Sequence, residues 1–152
     1  MQSVFEAVTN FFKQDNWHIE KHEDETAFYT NFGGEHGQWR CYGETRESPA
    51  QFVFYSLCPI HIPELKRQDI SEFLTRANFD LVIGNFEFDL EDGEIRFKTS
   101  IDVEGSHLDF NLIKRLVYTN AVMMDQYLPG ITAVAYGAVT PLEAIAKIEN
   151  EV

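Results

Sequence analysis

The sequence predicts an α+β fold: an antiparallel sheet, built as a meander plus a hairpin, covered by helices. Two stretches carry that prediction. Residues 17–58 hold successive alternating segments joined by short polar or Gly-rich turns, the pattern of an antiparallel meander. Residues 73–100 run from an amphipathic helix into two alternating segments that meet at Asp92-Gly93, a helix feeding a β-hairpin. No segment demands a parallel crossover, which separates this order from α/β.

The elements follow in chain order. Val4, Phe5, Val8, Phe11 and Phe12 recur at helical spacing, so residues 3–15 form an amphipathic helix ending at Asp15-Asn16. Trp17, Ile19 and Lys21 alternate with His18, Glu20 and His22, which reads as a first strand. Glu23-Asp24-Glu25 is a turn, and residues 27–32 are a second strand rich in aromatics. Residues 33–37, reading GGEHG, are a loop before a third strand at 38–45. Glu47-Ser48-Pro49 turns the chain into a fourth strand at 51–58.

Pro63 fits the first position of the next helix, where its missing N–H costs nothing. Ile70, Phe73, Leu74 and Ala77 form one face of that helix, which runs to about Phe79. The hairpin strands lie near 85–90 and 94–103. Phe86, Phe88, Ile95 and Phe97 share one face and are expected to be mostly buried. Ser106 is a candidate cap for a long helix carrying Leu112, Ile113, Leu116, Val117, Met123, Met124 and Leu128. Pro129-Gly130 kinks or breaks it. Residues 131–139 are small and apolar, a buried helix or a strand. Thr140-Pro141-Leu142-Glu143 supplies a cap, a Pro at the first position and a Glu at the third, opening a last helix.

The residues placed this way resemble the YbjN-like family, described as regulators of bacterial sensory transduction with a type III secretion chaperone-like fold. The likeness is most specific at Phe73-Leu74-Thr75-Arg76-Ala77-Asn78, Gly84-Asn85-Phe86-Glu87-Phe88-Asp89 and Glu91-Asp92-Gly93-Glu94-Ile95-Arg96-Phe97. Trp17 after the first helix, Ile62-Pro63, and Pro129 through Tyr136-Gly137 to Thr140-Pro141-Leu142-Glu143-Ala144-Ile145 extend it. The sequence carries four strands before the second helix where the chaperone plan has three. The resemblance implies a secretion chaperone-like fold, often a dimer, and no catalytic residues.

Length and composition bound the rest. The 152 residues fit one domain, 1–152, large enough to bury a core without staples. Twelve Lys and Arg stand against 25 Asp and Glu, a formal net charge of −13. Such a surface repels phosphate backbones and anionic membranes, so neither nucleic acid nor membrane is an expected partner. The start of the chain lacks the pattern of a signal peptide, and Cys41 and Cys58 form no CxxC. A soluble, cytoplasmic protein with reduced thiols is expected.

No motif carries chemistry. His18, Glu20 and His22 suggest a metal, but in a strand the two His backbones stand about 13 Å apart, too far for one ion. The glycines of residues 33–37 lack the Lys-Ser/Thr of a phosphate loop. Asp89 to Gly93 lacks a carboxylate at the first position of a calcium loop and reads as a turn. Cys41 and Cys58 fall in strands or at their ends, as small buried hydrophobes do. Asn78 and Gly84 suit a left-handed residue, a local backbone bond or a close approach.

No catalytic, cofactor-binding or metal residue is therefore expected, and no cofactor. The expected function is a non-enzymatic protein-interaction module, chaperone-like or regulatory. The alternative is a small-ligand sensor binding in an aromatic-lined cavity between sheet and helices. The 13 Phe, with the Trp and Tyr residues, are more aromatic surface than one small core readily hides. That excess suggests a homodimer, paired through the sheet or a hairpin edge.

Overall fold

The computed structural model describes residues 2–150. Helix α1 spans Val4–Gln14. Strands β1 (Glu20–Lys21), β2 (Ala27–Gly33), β3 (Gln38–Glu47) and β4 (Ala50–Leu57) follow. A 3-10 turn at Glu64–Lys66 leads into α2 (Arg67–Asn78). Then come β5 (Asn85–Phe88), β6 (Ile95–Asp102), α3 (Phe110–Tyr136) and α4 (Pro141–Asn150). All six strands form one antiparallel sheet in the order β1-β2-β3-β4-β6-β5. The meander and the hairpin therefore join where β6 pairs with β4.

Alternation divides the sheet into two unlike faces. Phe28, Cys41, Phe52, Phe54, Ile95 and Phe97 point one way and are fully buried. Helix α1 packs on β3 and β4, α3 on β4 and β6, and α2 on β5, while α4 packs on α2 and α3. The buried hydrophobic residues other than Ala27 form one contiguous cluster. Among the described residues no helix is long and apolar enough to cross a membrane.

The helix ends have identifiable partners. Ser3 caps α1 by accepting from the Glu6 amide at 3.0 Å, while Glu6 accepts from the Ser3 amide at 3.2 Å. Glu47 of β3 adds a second anchor, accepting from the amides of Val4 (2.9 Å) and Phe5 (3.2 Å). A carboxylate there also suits the positive end of the helix dipole. The expected capping box of α4 is present: Glu143 N–H donates to Thr140 Oγ1 at 3.2 Å and Thr140 N–H to Glu143 Oε1 at 3.1 Å.

Several expectations need correction. The first strand is only Glu20–Lys21, because Asn16 adopts a left-handed φ of 64° and the Trp17 amide bonds back to the Phe12 carbonyl. Pro63 precedes the 3-10 turn instead of opening α2 directly. The long helix is capped by Asp109, which accepts from the Leu112 amide at 2.8 Å, and Ser106 lies in a preceding turn. Helix α3 passes through Pro129 and continues to Tyr136, which settles most of 131–139 as helix. Phe86, Ile95 and Phe97 are buried, but Phe88 is only half-buried. It ends the edge strand and packs against the margin of the core.

Asn78 and Gly84 have the local roles their chemistry suggested. The Phe86 amide donates to Asn78 Oδ1 at 2.7 Å, and Asn78 Nδ2 donates to the Phe86 carbonyl at 3.1 Å. The side chain thus stands where a seventh strand would begin and blunts the free edge of β5. The left-handed residue nearby is Asp80, at φ 71°. Gly84 has φ 81°, and a Cβ there would meet the Phe97 ring and the Lys98 carbonyl.

Candidate functional site

Among the described residues no helix covers the second sheet face. Register aligns Tyr29, Tyr42 and Tyr55 across β2, β3 and β4, and Lys98 of β6 extends the row. The Tyr29 and Tyr42 ring centroids are 4.9 Å apart, and those of Tyr42 and Tyr55 are 6.3 Å apart and stacked. Arg40 lies over Tyr29 at 4.3 Å and Arg96 over Tyr55 at 4.2 Å, so a guanidinium flanks each end of the ladder.

The charges on this face balance. Its strand positions carry Arg40, Arg46, Arg96 and Lys98 against Glu20, Glu44, Glu87 and Asp102. Four of the 12 basic residues meet four of the 25 acidic ones, so the net −13 resides elsewhere. Most are paired: Arg96–Glu87 at 2.7 Å, Lys98–Glu87 at 3.0 Å, Arg40–Glu20 at 3.4 Å and Arg46–Glu44 at 3.5 Å.

Partial burial would raise the pKa of Glu87. Hydrogen bonds from Lys98 and Arg96 outweigh that effect and hold it below its ordinary 4.5. A depressed folded-state value contributes stability above the ordinary value, lost as pH falls through the folded one. The stability difference between wild type and Glu87→Gln is therefore expected at neutral pH and should vanish in acid. Urea melts of both proteins across that range check this; a difference independent of pH would contradict it.

A second feature joins the β2–β3 loop to α3. Pro129 has no N–H, so the Asp125 carbonyl one turn earlier loses its helical partner. His36 Nδ1 lies 3.1 Å from that carbonyl. A carbonyl only accepts, so Nδ1 carries the proton. The Asp125 carboxylate in turn accepts from the amides of Glu35 (3.0 Å) and His36 (2.8 Å). A Cβ on Gly34 would collide with this carboxylate, so the glycine is what permits the approach. The 33–37 loop is thus a clip on α3 at the turn that Pro129 interrupts.

The same residues form a cluster with metal-ligand geometry. Among the described residues, ligand atoms of Glu35, His36 and Asp125 lie within 4.8 Å of one another. Asp125 already has both oxygens engaged by loop amides, and His36 has Nδ1 engaged by a carbonyl. Sequence reasoning missed this trio, because no local signal links residues 89 or 90 positions apart.

The residues singled out from sequence are scattered. His18 is exposed. The His22 ring packs 5.5 Å from Tyr29 and 6.1 Å from Tyr42, at the end of the aromatic row. Asp89 and Asp92 turn inward, accepting from the amides of Glu91 (2.9 Å) and Glu94 (2.8 Å), as a hairpin turn requires. Cys41 and Cys58 are free and buried, and burial pushes their thiols up to about 12 and about 11. Neither is a ready nucleophile.

One largely apolar cavity lies elsewhere than the sheet–helix cavity considered from sequence. It lies between α3, α4 and the 33–37 loop, where aliphatic residues line it together with polar ones and no Phe, Tyr or Trp takes part. It is not between the sheet and the helices.

The geometry defines a class: an α+β protein with one sheet face packed under helices and the other open, aromatic and charge-balanced. The chain belongs to the YbjN family, whose model matches residues 5–133 and whose description reads "putative bacterial sensory transduction regulator". A search of curated proteins found no match. The description fits a regulatory or interaction role and names no enzymatic activity.

Proposed function

We propose that this chain is a non-enzymatic protein-interaction module of regulatory type, and that the tyrosine-lined sheet face is its interaction surface. Tyr and Arg are the residues most enriched where protein interfaces gain their binding energy. The observation that carries the reading is their alignment, Tyr29-Tyr42-Tyr55 flanked by Arg40 and Arg96, on the face that no helix covers.

The first partner of this face is a second copy of the chain. Two molecules at −13 each repel, but a neutral face lets them approach where that repulsion is weakest. Its paired Arg and Glu residues can exchange partners across a twofold axis, the usual symmetry of a homodimer. At strand spacings of about 4.8 Å and rises of about 3.4 Å per residue, the sheet measures roughly 25 Å each way. That is on the order of 1,200 Å² buried over two copies, the lower bound of a specific interface. The β5 edge is the poorer candidate, since Asn78 occupies it.

The reading assigns the chain no metal, cofactor, nucleic acid or membrane, and places it in the cytoplasm. Tyr42→Asp tests the surface. A charge in the middle of the ladder should abolish self-association while leaving the chain folded. Association equal to wild type would remove this face from the account.

A further inference from the structure

The cavity between α3 and α4 has a volume of about 370 Å³, within the ~300–1,000 Å³ of small-molecule sites. Its origin is legible in the residues around it. Val122, Pro129 and Ala133 lie along one side of α3, and Ala144 and Ile148 face them from α4. The alanines leave the space open, and Val139 closes one part of the wall. The clipped 33–37 loop brings Glu35 and His36 to the rim, and α4 brings Glu143 and Lys147. The floor is thus aliphatic and the rim charged.

The rim groups differ in what they can still bind. Asp125 has both oxygens taken by loop amides. Glu143 uses Oε1 to cap α4 and keeps Oε2. Among the described residues the Glu35 carboxylate makes no hydrogen bond or ion pair, so it remains an acceptor. Three carboxylates, two of them with spare oxygens, therefore outnumber the single ammonium of Lys147 at the rim, on a chain of net charge −13. That field favours a cationic group at the rim and opposes a ligand bearing only a carboxylate.

We propose that this cavity binds a small aliphatic molecule carrying a protonated amine, its body on the apolar floor and its ammonium at the acidic rim to which Glu35 and Glu143 belong. The amine can belong to a simple alkylamine or to an aliphatic amino acid, whose carboxylate would meet Lys147. The proposal goes beyond the sheet-face reading and does not depend on it, because the cavity is on the opposite, helical side of the sheet.

Titration calorimetry with three probes sharing one branched body separates the cases: isoamylamine, L-leucine and isocaproate. Saturable binding is expected for isoamylamine, L-leucine or both, and not for isocaproate. L-leucine alone identifies an amino acid; isoamylamine alone or both identify the amine as sufficient. Ala133→Leu fills the cavity and should abolish binding. The double variant Glu35→Gln, Glu143→Gln keeps the capping geometry and should weaken binding about two- to thirtyfold, the scale of two exposed ion pairs. Thermal melts without ligand verify that the variants fold, and the double variant decides if Ala133→Leu does not. Failure of both amine probes to bind, isocaproate binding equally well, or affinity unchanged in the folded double variant would overturn the proposal.

Discussion

Replacing Phe97 with alanine is expected to destabilise the chain by about 3–5 kcal/mol, the range for a large aromatic removed from a core. Phe97 has no exposed surface and sits on β6, between β4 and β5. Its ring meets Phe86 edge-on, with centroids 4.8 Å apart and planes at 79°. It also fills the space beside Gly84, where a Cβ would strike it. The neighbours are held by sheet pairing and by α3, so the cavity left behind cannot close by a simple shift. Half-buried Phe88 is expected to lose less. Urea unfolding of Phe97→Ala and Phe88→Ala checks both; equal, small losses would mean that this hairpin face is not core.

Asn120→Asp is expected to be at least as damaging, for an electrostatic reason. Asn120 is fully buried at the junction of α3 and the sheet. Its Nδ2 donates to the carbonyls of Phe54 (2.8 Å) and Phe97 (2.9 Å) and lies 3.1 Å from Thr99 Oγ1. Its Oδ1 has no partner among the described residues. An aspartate there either buries an unpaired charge facing two carbonyls or takes a proton and offers one O–H to both. Burying an uncompensated charge costs about 3–5 kcal/mol. The folded-state pKa of such an aspartate is raised, so the deficit grows as pH climbs past its unfolded value of about 3.9. Melts should show the loss largest at neutral pH and smaller in acid. A loss that does not vary with pH would indicate a packing defect instead.

Local physics was readable in the sequence and long-range physics was not. The hairpin through Phe86 and Phe97 announces itself because strand alternation and the Asp92-Gly93 turn are properties of adjacent residues. The same holds for the capping box at Thr140 and Glu143. The start of α3 is ambiguous in sequence because Ser106 and Asp109 are both competent caps, and β1 is shorter than its alternation suggests because Asn16 turns left-handed. Pro129 looked like a break because the sequence does not reveal that His36 replaces the missing helical partner of Asp125. Asn120 gave no signal, being one polar residue in an apolar stripe. The candidate surface was half legible. Tyr29, Tyr42 and Tyr55 each alternate with core residues in their own strands, but only the register of β2, β3 and β4 sets them in one row.

The claim that this row is an interaction surface is tested most directly by sedimentation of the wild-type chain and Tyr42→Asp at micromolar concentration, in low and in moderate salt. The wild type should be a dimer that tightens as salt rises, because charge outside the face repels and is screened over about 8 Å at physiological ionic strength. Tyr42→Asp should be a folded monomer in both. A wild-type monomer in both conditions, or a Tyr42→Asp dimer as tight as wild type, would contradict the account.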